Sequence, residues 1–192
     1  MKRAFDLIAA VGGLLVLSPV LVIVGLAVRL TSPGPALFRH ERIGKDFEPF
    51  DVLKFRTMRN DSTGANITTA GDARITTVGR ILRQYKIDEL PQLINVVRGE
   101  MSIVGPRPEV KEYVDLMDDY QTVLQVRPGL TDPASLEYRH EQDLLDAQDD
   151  PKSYYTTHLL PEKVRLSVDY VHTQSLRTDL DLIFQTLKAL AK

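Results

Sequence analysis

The sequence predicts a mixed α/β (α+β) fold: a small compact domain with a short β-hairpin and several amphipathic helices, anchored by an N-terminal membrane helix. Three observations predict it. The residues from Leu7 to Val28 carry no charge. Strand-like segments flank a Gly44-Lys45-Asp46 turn, and from Val78 onward apolar residues recur at helical spacing. With 192 residues and 43% hydrophobic content, the chain can bury a sizeable core as one domain. A net charge of −2, from 24 basic and 26 acidic residues, argues against a nucleic-acid partner. The absence of cysteine excludes disulfides and thiolate metal sites and allows a reducing cytoplasmic setting.

The segment "LIAAVGGLLVLSPVLVIVGLAV", Leu7 to Val28, is membrane material. As straight helix it measures roughly 33 Å, enough to cross a hydrocarbon core of roughly 30 Å. Pro19 lies near its midpoint, where a missing N–H and a ring clash with the Leu15 carbonyl predict a kink. The Ser18 hydroxyl is placed to bond the Leu14 carbonyl and help the bend. Basic residues flank both ends (Lys2 and Arg3; Arg29, Arg39 and Arg42), so charge sets no orientation. Three readings stay open: a kinked single span, a helix-break-helix that dips in and returns, and a secretory signal.

"SPGP", Ser32 to Pro35, marks the exit from that segment. The hairpin follows, with Phe38, Leu53 and Phe55 expected in the core. Lys54 and Arg56, two residues apart, share the opposite face, where charges are ordinarily solvated. Asn60 to Ala73 reads as a polar, mobile loop. Val78, Ile81, Leu82 and Tyr85, and then Leu90, Leu93, Ile94 and Val97, each give a helix one buried face. Pro91 suits a first helical turn and disfavours helix at Leu90, which predicts a chain break near Asp88 to Leu90. The adjacent carboxylates Asp88 and Glu89 then lie at a helix N-terminus. An ordinary N-cap and first-turn acid would look the same.

In "GEMSIVGPRPEV", Gly99 to Val110, a short apolar strand runs into Arg107 between Pro106 and Pro108. Prolines on both sides restrict the backbone and present the guanidinium at low entropic cost, which suits bidentate phosphate binding and also suits a rigid surface turn. A second Arg-Pro unit, "VRPGLTDP", carries Arg127. The segment Glu141 to Tyr155 reads as an acidic loop. Leu180, Ile183, Phe184 and Leu187 predict a C-terminal helix that packs on the core or lies among lipid headgroups. "DLD", Asp179 to Asp181, is too weak as a mid-helix metal motif, and His40, His140, His158 and His172 lack ligand spacing.

Taken together, "KRAFDL", "SPGPALFRHERIGK", "FDVLKFRTM", "GRILRQYKIDELPQLINVVRGEMSIVGPRPE" and "RPGLTDPAS" resemble the bacterial sugar transferase family, the small monotopic phosphoglycosyl transferases, over nearly the whole chain. The resemblance implies an enzyme that moves a phospho-sugar from a UDP-sugar to polyprenyl (undecaprenyl) phosphate with Mg²⁺, releasing UMP, in the first membrane step of glycoconjugate assembly. It implies a re-entrant membrane helix over 1–31, broken at Ser18-Pro19. Residues 32–192 would form a catalytic domain with membrane-associated amphipathic helices on the cytoplasmic face of the bacterial inner membrane. Asp88 resembles the family's nucleophile and Glu89 its metal ligand, with Asp88 beside it at the metal. Lys54, Arg56, Arg83, Arg107 and Arg127 fall on basic, substrate-binding positions. The partners implied are the UDP-sugar, the polyprenyl phosphate and the lipid bilayer; a homodimer is allowed. Two rival functions are a membrane-bound glycosyltransferase releasing UDP and a non-catalytic membrane-tethered interaction protein.

Overall fold

The computed structural model describes residues 1–59 and 74–190, so the expected polar loop from Asn60 to Ala73 lies outside the described residues. Helix α1 (Lys2–Thr31) is long and apolar enough to cross a membrane. Helical geometry continues through Pro19. The break expected at Ser18-Pro19 therefore does not interrupt α1; what Pro19 removes is one ladder bond, leaving the Leu15 carbonyl without its usual donor. The Ser18 hydroxyl donates to that carbonyl at 2.8 Å, one residue along from the expected Leu14.

Both ends of α1 are fastened to the same body. At the start, Lys2 pairs with buried Asp179 and donates to the Val104 carbonyl at 2.9 Å, and Asp6 accepts from the Ile103 N–H at 3.1 Å. At the far end, the Arg56 guanidinium donates to the Ser32 and Pro33 carbonyls. Between them Ala10, Leu14 and Leu17 pack on Leu93, Val96 and Met101, while Leu21, Val24 and Val28 pack on Phe55 and Leu82. The opposite side of the helix, including Ile8, Leu15, Val16, Ile23 and Leu30, is exposed and apolar.

Strands β1 (Leu37–Ile43) and β2 (Pro49–Phe55) pair antiparallel from Leu37↔Phe55 to Ile43↔Pro49. The turn is wider than Gly44-Lys45-Asp46, because Asp46 and Phe47 both take left-handed backbone angles (φ 57° and 64°). Leu53 and Phe55 are buried as expected. Phe38 is not: it is 47% exposed, because its cross-strand partner is Lys54 and the two share a face.

Helix α2 (Thr77–Gln84) is capped by the Thr76 hydroxyl, which accepts from the Gly79 N–H at 2.9 Å. Gly79 sits against the Thr57 backbone, so close that a Cβ there would overlap it. The chain then turns at Lys86, in the left-handed region at φ 55°, through a tight turn Ile87–Glu89 into helix α3 (Gln92–Arg98). The break thus comes earlier than expected, and Pro91, without a side-chain bond, occupies the N-cap position predicted for Asp88. On α3 the fully buried Asn95 accepts from the Leu53 N–H at 3.0 Å and donates to the Asp51 carbonyl at 2.7 Å. This side chain ties the helix to the hairpin's free edge.

Strands β3 (Ser102–Val104) and β4 (Gly129–Thr131) form a short parallel pair, with α4 (Lys111–Val114) and α5 (Tyr120–Val123) between them in sequence. Helices α6 (Pro133–Glu137), α7 (Glu141–Asp146), α8 (Pro151–Tyr154), α9 (Leu160–Thr173) and α10 (Leu176–Leu190) complete the described chain, with a π turn over Tyr155–Leu159. The acidic segment expected as a loop is largely helical. Asp150 caps α8 through the Ser153 N–H at 3.0 Å, and Leu145 and Tyr155 join the main core with Ile43, Tyr120 and Leu160. On α10, Asp179 and Leu182 face inward, whereas Leu176, Leu180, Phe184 and Leu187 form an exposed apolar stripe.

Candidate active site

Two elements converge on Glu89. From β2, Lys54 donates to Glu89 Oε1 at 2.8 Å. From the loop after β3, Arg107 Nη2 donates to the same oxygen at 2.7 Å, while Nη1 lies 3.5 Å from Oε2. Burial alone would push the Glu89 carboxyl up, but Arg107 and Lys54 together hold it well below the usual carboxylate range. Glu89 in turn raises Arg107 against its desolvation. Lys54 is lowered by burial, which Glu89 only partly offsets.

Arg107 is held from behind by the second Arg-Pro turn. The Gly129 N–H donates to the Pro106 carbonyl at 2.9 Å and the Gly105 N–H to the Thr131 carbonyl at 3.0 Å. A Cβ on Gly129 would overlap the Gly105 backbone, so glycine is required for this contact. The Arg107 N–H donates to Asp132 Oδ2 at 3.2 Å, while Asp132 Oδ1 caps α6 through Ser135. Asp132 is a positioning residue that sequence reasoning missed. Its only signal was an acid directly before Pro133.

Asp88 sits beside this cluster, 7% exposed, and its Oδ1 has no hydrogen-bond partner among the described residues. Burial raises its pKa first and the Glu89 charge adds to it, while Lys54, Lys86 and Arg83 pull the other way. A buried carboxylate oxygen left unpaired costs folding free energy, so native structures rarely keep one without a use for it. Arg83, on α2, is steered by a bond from Nε to the Thr57 hydroxyl at 2.8 Å.

The structure therefore brings together Asp88, Glu89, Lys54, Arg83 and Arg107. It does not bring Arg56 or Arg127 to them. Arg56 is 4% exposed and bonded to the end of α1, whereas Arg127 donates to the Gly99 carbonyl at 2.7 Å, beyond the C-terminal end of α3. Asp179 and Asp181 do not form a joint site, since the first is buried against Lys2 and Tyr170 and the second is exposed.

The donor chemistry fits a divalent cation. Asp88 Oδ1 is without a partner and Glu89 Oε2 has only the 3.5 Å contact, leaving two hard oxygens on adjacent residues. Among the described residues no cluster of three potential ligands exists. A two-carboxylate set is what Mg²⁺ commonly takes when water and substrate phosphates complete its shell.

Cations gathered on Glu89 beside the under-bonded carboxylate of Asp88 make a site suited to phosphorylated substrates. The sequence matches the bacterial sugar transferase model over residues 1–192, and the chain belongs to that family. It is 40% identical over 195 residues to a UDP-glucose:undecaprenyl-phosphate glucose-1-phosphate transferase of Caulobacter vibrioides, covering 98% of this chain and 69% of the relative. It is 38% identical over 194 residues to an Escherichia coli protein of the same name, covering 97% of this chain. It is 34% identical over 196 residues to a UDP-N-acetylgalactosamine-undecaprenyl-phosphate N-acetylgalactosaminephosphotransferase of Aeromonas hydrophila, covering 99% of this chain. The chain spans only 39% and 43% of the last two.

Proposed function

We propose that this protein transfers a phospho-sugar from a UDP-sugar to undecaprenyl phosphate, releasing UMP, by way of a covalent intermediate on Asp88. The observation that carries the reading is the buried, unbonded Oδ1 of Asp88 next to the Lys54–Glu89–Arg107 cluster. A capping carboxylate would be bonded to backbone amides; among the described residues this oxygen is bonded to none, and it lies within the field of Lys54, Lys86 and Arg83.

In the first step an Asp88 carboxylate oxygen attacks the phosphorus that bears the sugar, and the bond from that phosphorus to the bridging oxygen breaks. UMP leaves with that oxygen, and an acyl-phosphate joins Asp88 to the sugar. In the second step an oxygen of undecaprenyl phosphate attacks the same phosphorus and the Asp88 carboxylate departs, giving the lipid diphosphate sugar. Splitting the transfer lets a water-soluble donor and a lipid acceptor use one small site in turn. Bringing a phosphate charge to within about 4 Å of a carboxylate costs about 4 kcal/mol at an effective dielectric near 20. Arg107, Lys54 and Arg83 offset that repulsion and spread the charge that develops on the phosphoryl oxygens. Mg²⁺, held by Glu89 with Asp88, would neutralise the diphosphate and polarise the reacting phosphorus.

The exposed apolar faces of α1 and α10 are the proposed lipid contacts. Both ends of α1 are bonded to one body, which argues against a span that leaves one end across the bilayer and supports an anchor that stays on one side; we take that side to be the cytoplasmic face, as the family resemblance implies. The test is to incubate the protein with a panel of UDP-sugars, undecaprenyl phosphate and Mg²⁺ and identify the nucleotide product. UMP is expected. UDP would indicate direct sugar transfer, and no nucleotide under any pairing would remove the enzymatic reading.

A further inference from the structure

The hairpin face that supplies Lys54 also carries an aromatic ring outside the core. Phe38 lies directly across from Lys54 in the β1–β2 register, and cross-strand partners have their Cβ atoms about 5 Å apart. The ring is 47% exposed, so burial in the fold does not account for it. Its next neighbour on the same face of β1 is His40, with ring centroids 5.7 Å apart at an interplanar angle of 59°. Beyond His40 comes Arg42, paired with Glu109 at 3.3 Å, two residues after Arg107. The surroundings of Phe38 on this face are thus ionic and aromatic. In this they differ from the purely aliphatic outer faces of α1 and much of α10, where a lipid chain would be at home.

The hydrogen bonding of His40 identifies its tautomer. Arg42 Nη2 lies 3.2 Å from His40 Nδ1, and a guanidinium can only donate, so Nδ1 accepts. In the neutral ring the proton then sits on Nε2. Burial, reinforced by the charges of Arg42 and Lys54, pushes this histidine down to about 4, so the ring is neutral at physiological pH. It adds no charge to compete for phosphate and offers one N–H donor beside a flat apolar ring.

We propose that Phe38 and His40 form the platform for the pyrimidine base of the donor nucleotide, with Phe38 stacking on the base and His40 Nε2–H donating to the C4 carbonyl, which cytosine lacks. The proposal rests on the donor being a uridine nucleotide. It accounts for an exposed phenyl ring opposite an active-site lysine, and it gives the site a selectivity for the base that its cations cannot provide. A phosphate-binding cluster alone would take any nucleoside diphosphate equally.

The experiment is equilibrium binding of UMP, CMP and inorganic pyrophosphate, each with Mg²⁺, to the detergent-solubilised full chain and its Phe38→Ala, Phe38→Trp and His40→Ala variants. Loss of one base–aromatic stack should weaken UMP binding by about tenfold in Phe38→Ala, with pyrophosphate unchanged, and Phe38→Trp should restore it. His40→Ala should narrow the preference for UMP over CMP. Two outcomes would overturn the platform: unchanged UMP affinity in Phe38→Ala, which would leave Phe38 as a lipid contact, or an equal loss of UMP and pyrophosphate. Wild-type protein that binds pyrophosphate but not UMP would overturn the uridine donor as well, which separates failure of the underlying reading from failure of the platform alone.

Discussion

Two buried aspartates, both near a lysine, stand in opposite conditions. Asp179 is 1% exposed and fully engaged: the Tyr170 hydroxyl donates to it at 2.6 Å and Lys2 pairs with it. Asp88 is 7% exposed, and its Oδ1 has no partner among the described residues. The first closes the seam between α1, α9 and α10. The second stands open beside a cluster of cations already committed to its neighbour Glu89. The difference teaches that burial of charge by itself says nothing about role; what separates a fastener from a reactive group is whether its lone pairs are used.

The sharpest way to break this comparison is Asp88→Asn. Turnover should fall to background, because a neutral amide cannot form the acyl-phosphate. The fold should survive, since Asp88 caps no helix and the amide keeps its shape. Near-normal turnover would return Asp88 to an unremarkable buried acid. Arg107→Ala comes next, with a turnover loss of about 100-fold or more, the usual scale for removing a charge-stabilising donor, against a stability loss of only about 1 to 2 kcal/mol. Turnover that tracks stability would make Arg107 a rigid turn and no more.

Asp179→Ala sharpens the other half. It should destabilise the protein by about 3 kcal/mol in denaturant titration, because it removes the partner of Lys2 and Tyr170 together. Lys2 retains 34% side-chain exposure and can turn toward water, which limits the loss. Turnover per folded molecule should remain within a few-fold of wild type.

The smallest effect is in pH. The Asp88 pKa is raised in the fold, so between its unfolded and folded values the native state holds more protons and stability falls as pH rises. The stability of Asp88→Asn relative to wild type should therefore grow with pH across that window and then level off, while wild-type turnover should be lost as pH falls through the raised value. Glu89 works in the opposite sense: its depressed pKa contributes stability that disappears only on acidification below the usual carboxylate range. A flat difference between Asp88→Asn and wild type would contradict the direction assigned to Asp88.

Much of this was legible in the sequence. Composition alone located α1, two-residue periodicity located the hairpin, and the family resemblance placed Asp88, Glu89, Lys54, Arg83 and Arg107 on positions that the fold brings together. What was not legible depended on register and on backbone turns that leave no compositional trace. Lys54 and Arg56 share a face by counting, but β2 ends at Phe55 and Arg56 swings to the end of α1. Asp88 reads as a cap only if the chain breaks beside it, and the left-handed angle at Lys86 moves that break. Phe38 reads as core until pairing sets it opposite a lysine. Arg127 resembles Arg107 in its motif, yet only the turn that follows it, through Gly129 and Thr131, supports the site while its side chain reaches Gly99.

The measurement that tests the central claim most directly is intact mass after mixing the protein with UDP-sugar and Mg²⁺ in the absence of lipid acceptor. The account predicts a single added phospho-sugar per chain, accompanied by about one equivalent of UMP, mapped by digestion to the peptide containing Asp88 and absent from Asp88→Asn. Full turnover on adding undecaprenyl phosphate, with no adduct ever trapped in its absence, would contradict it and place both substrates on the protein at once.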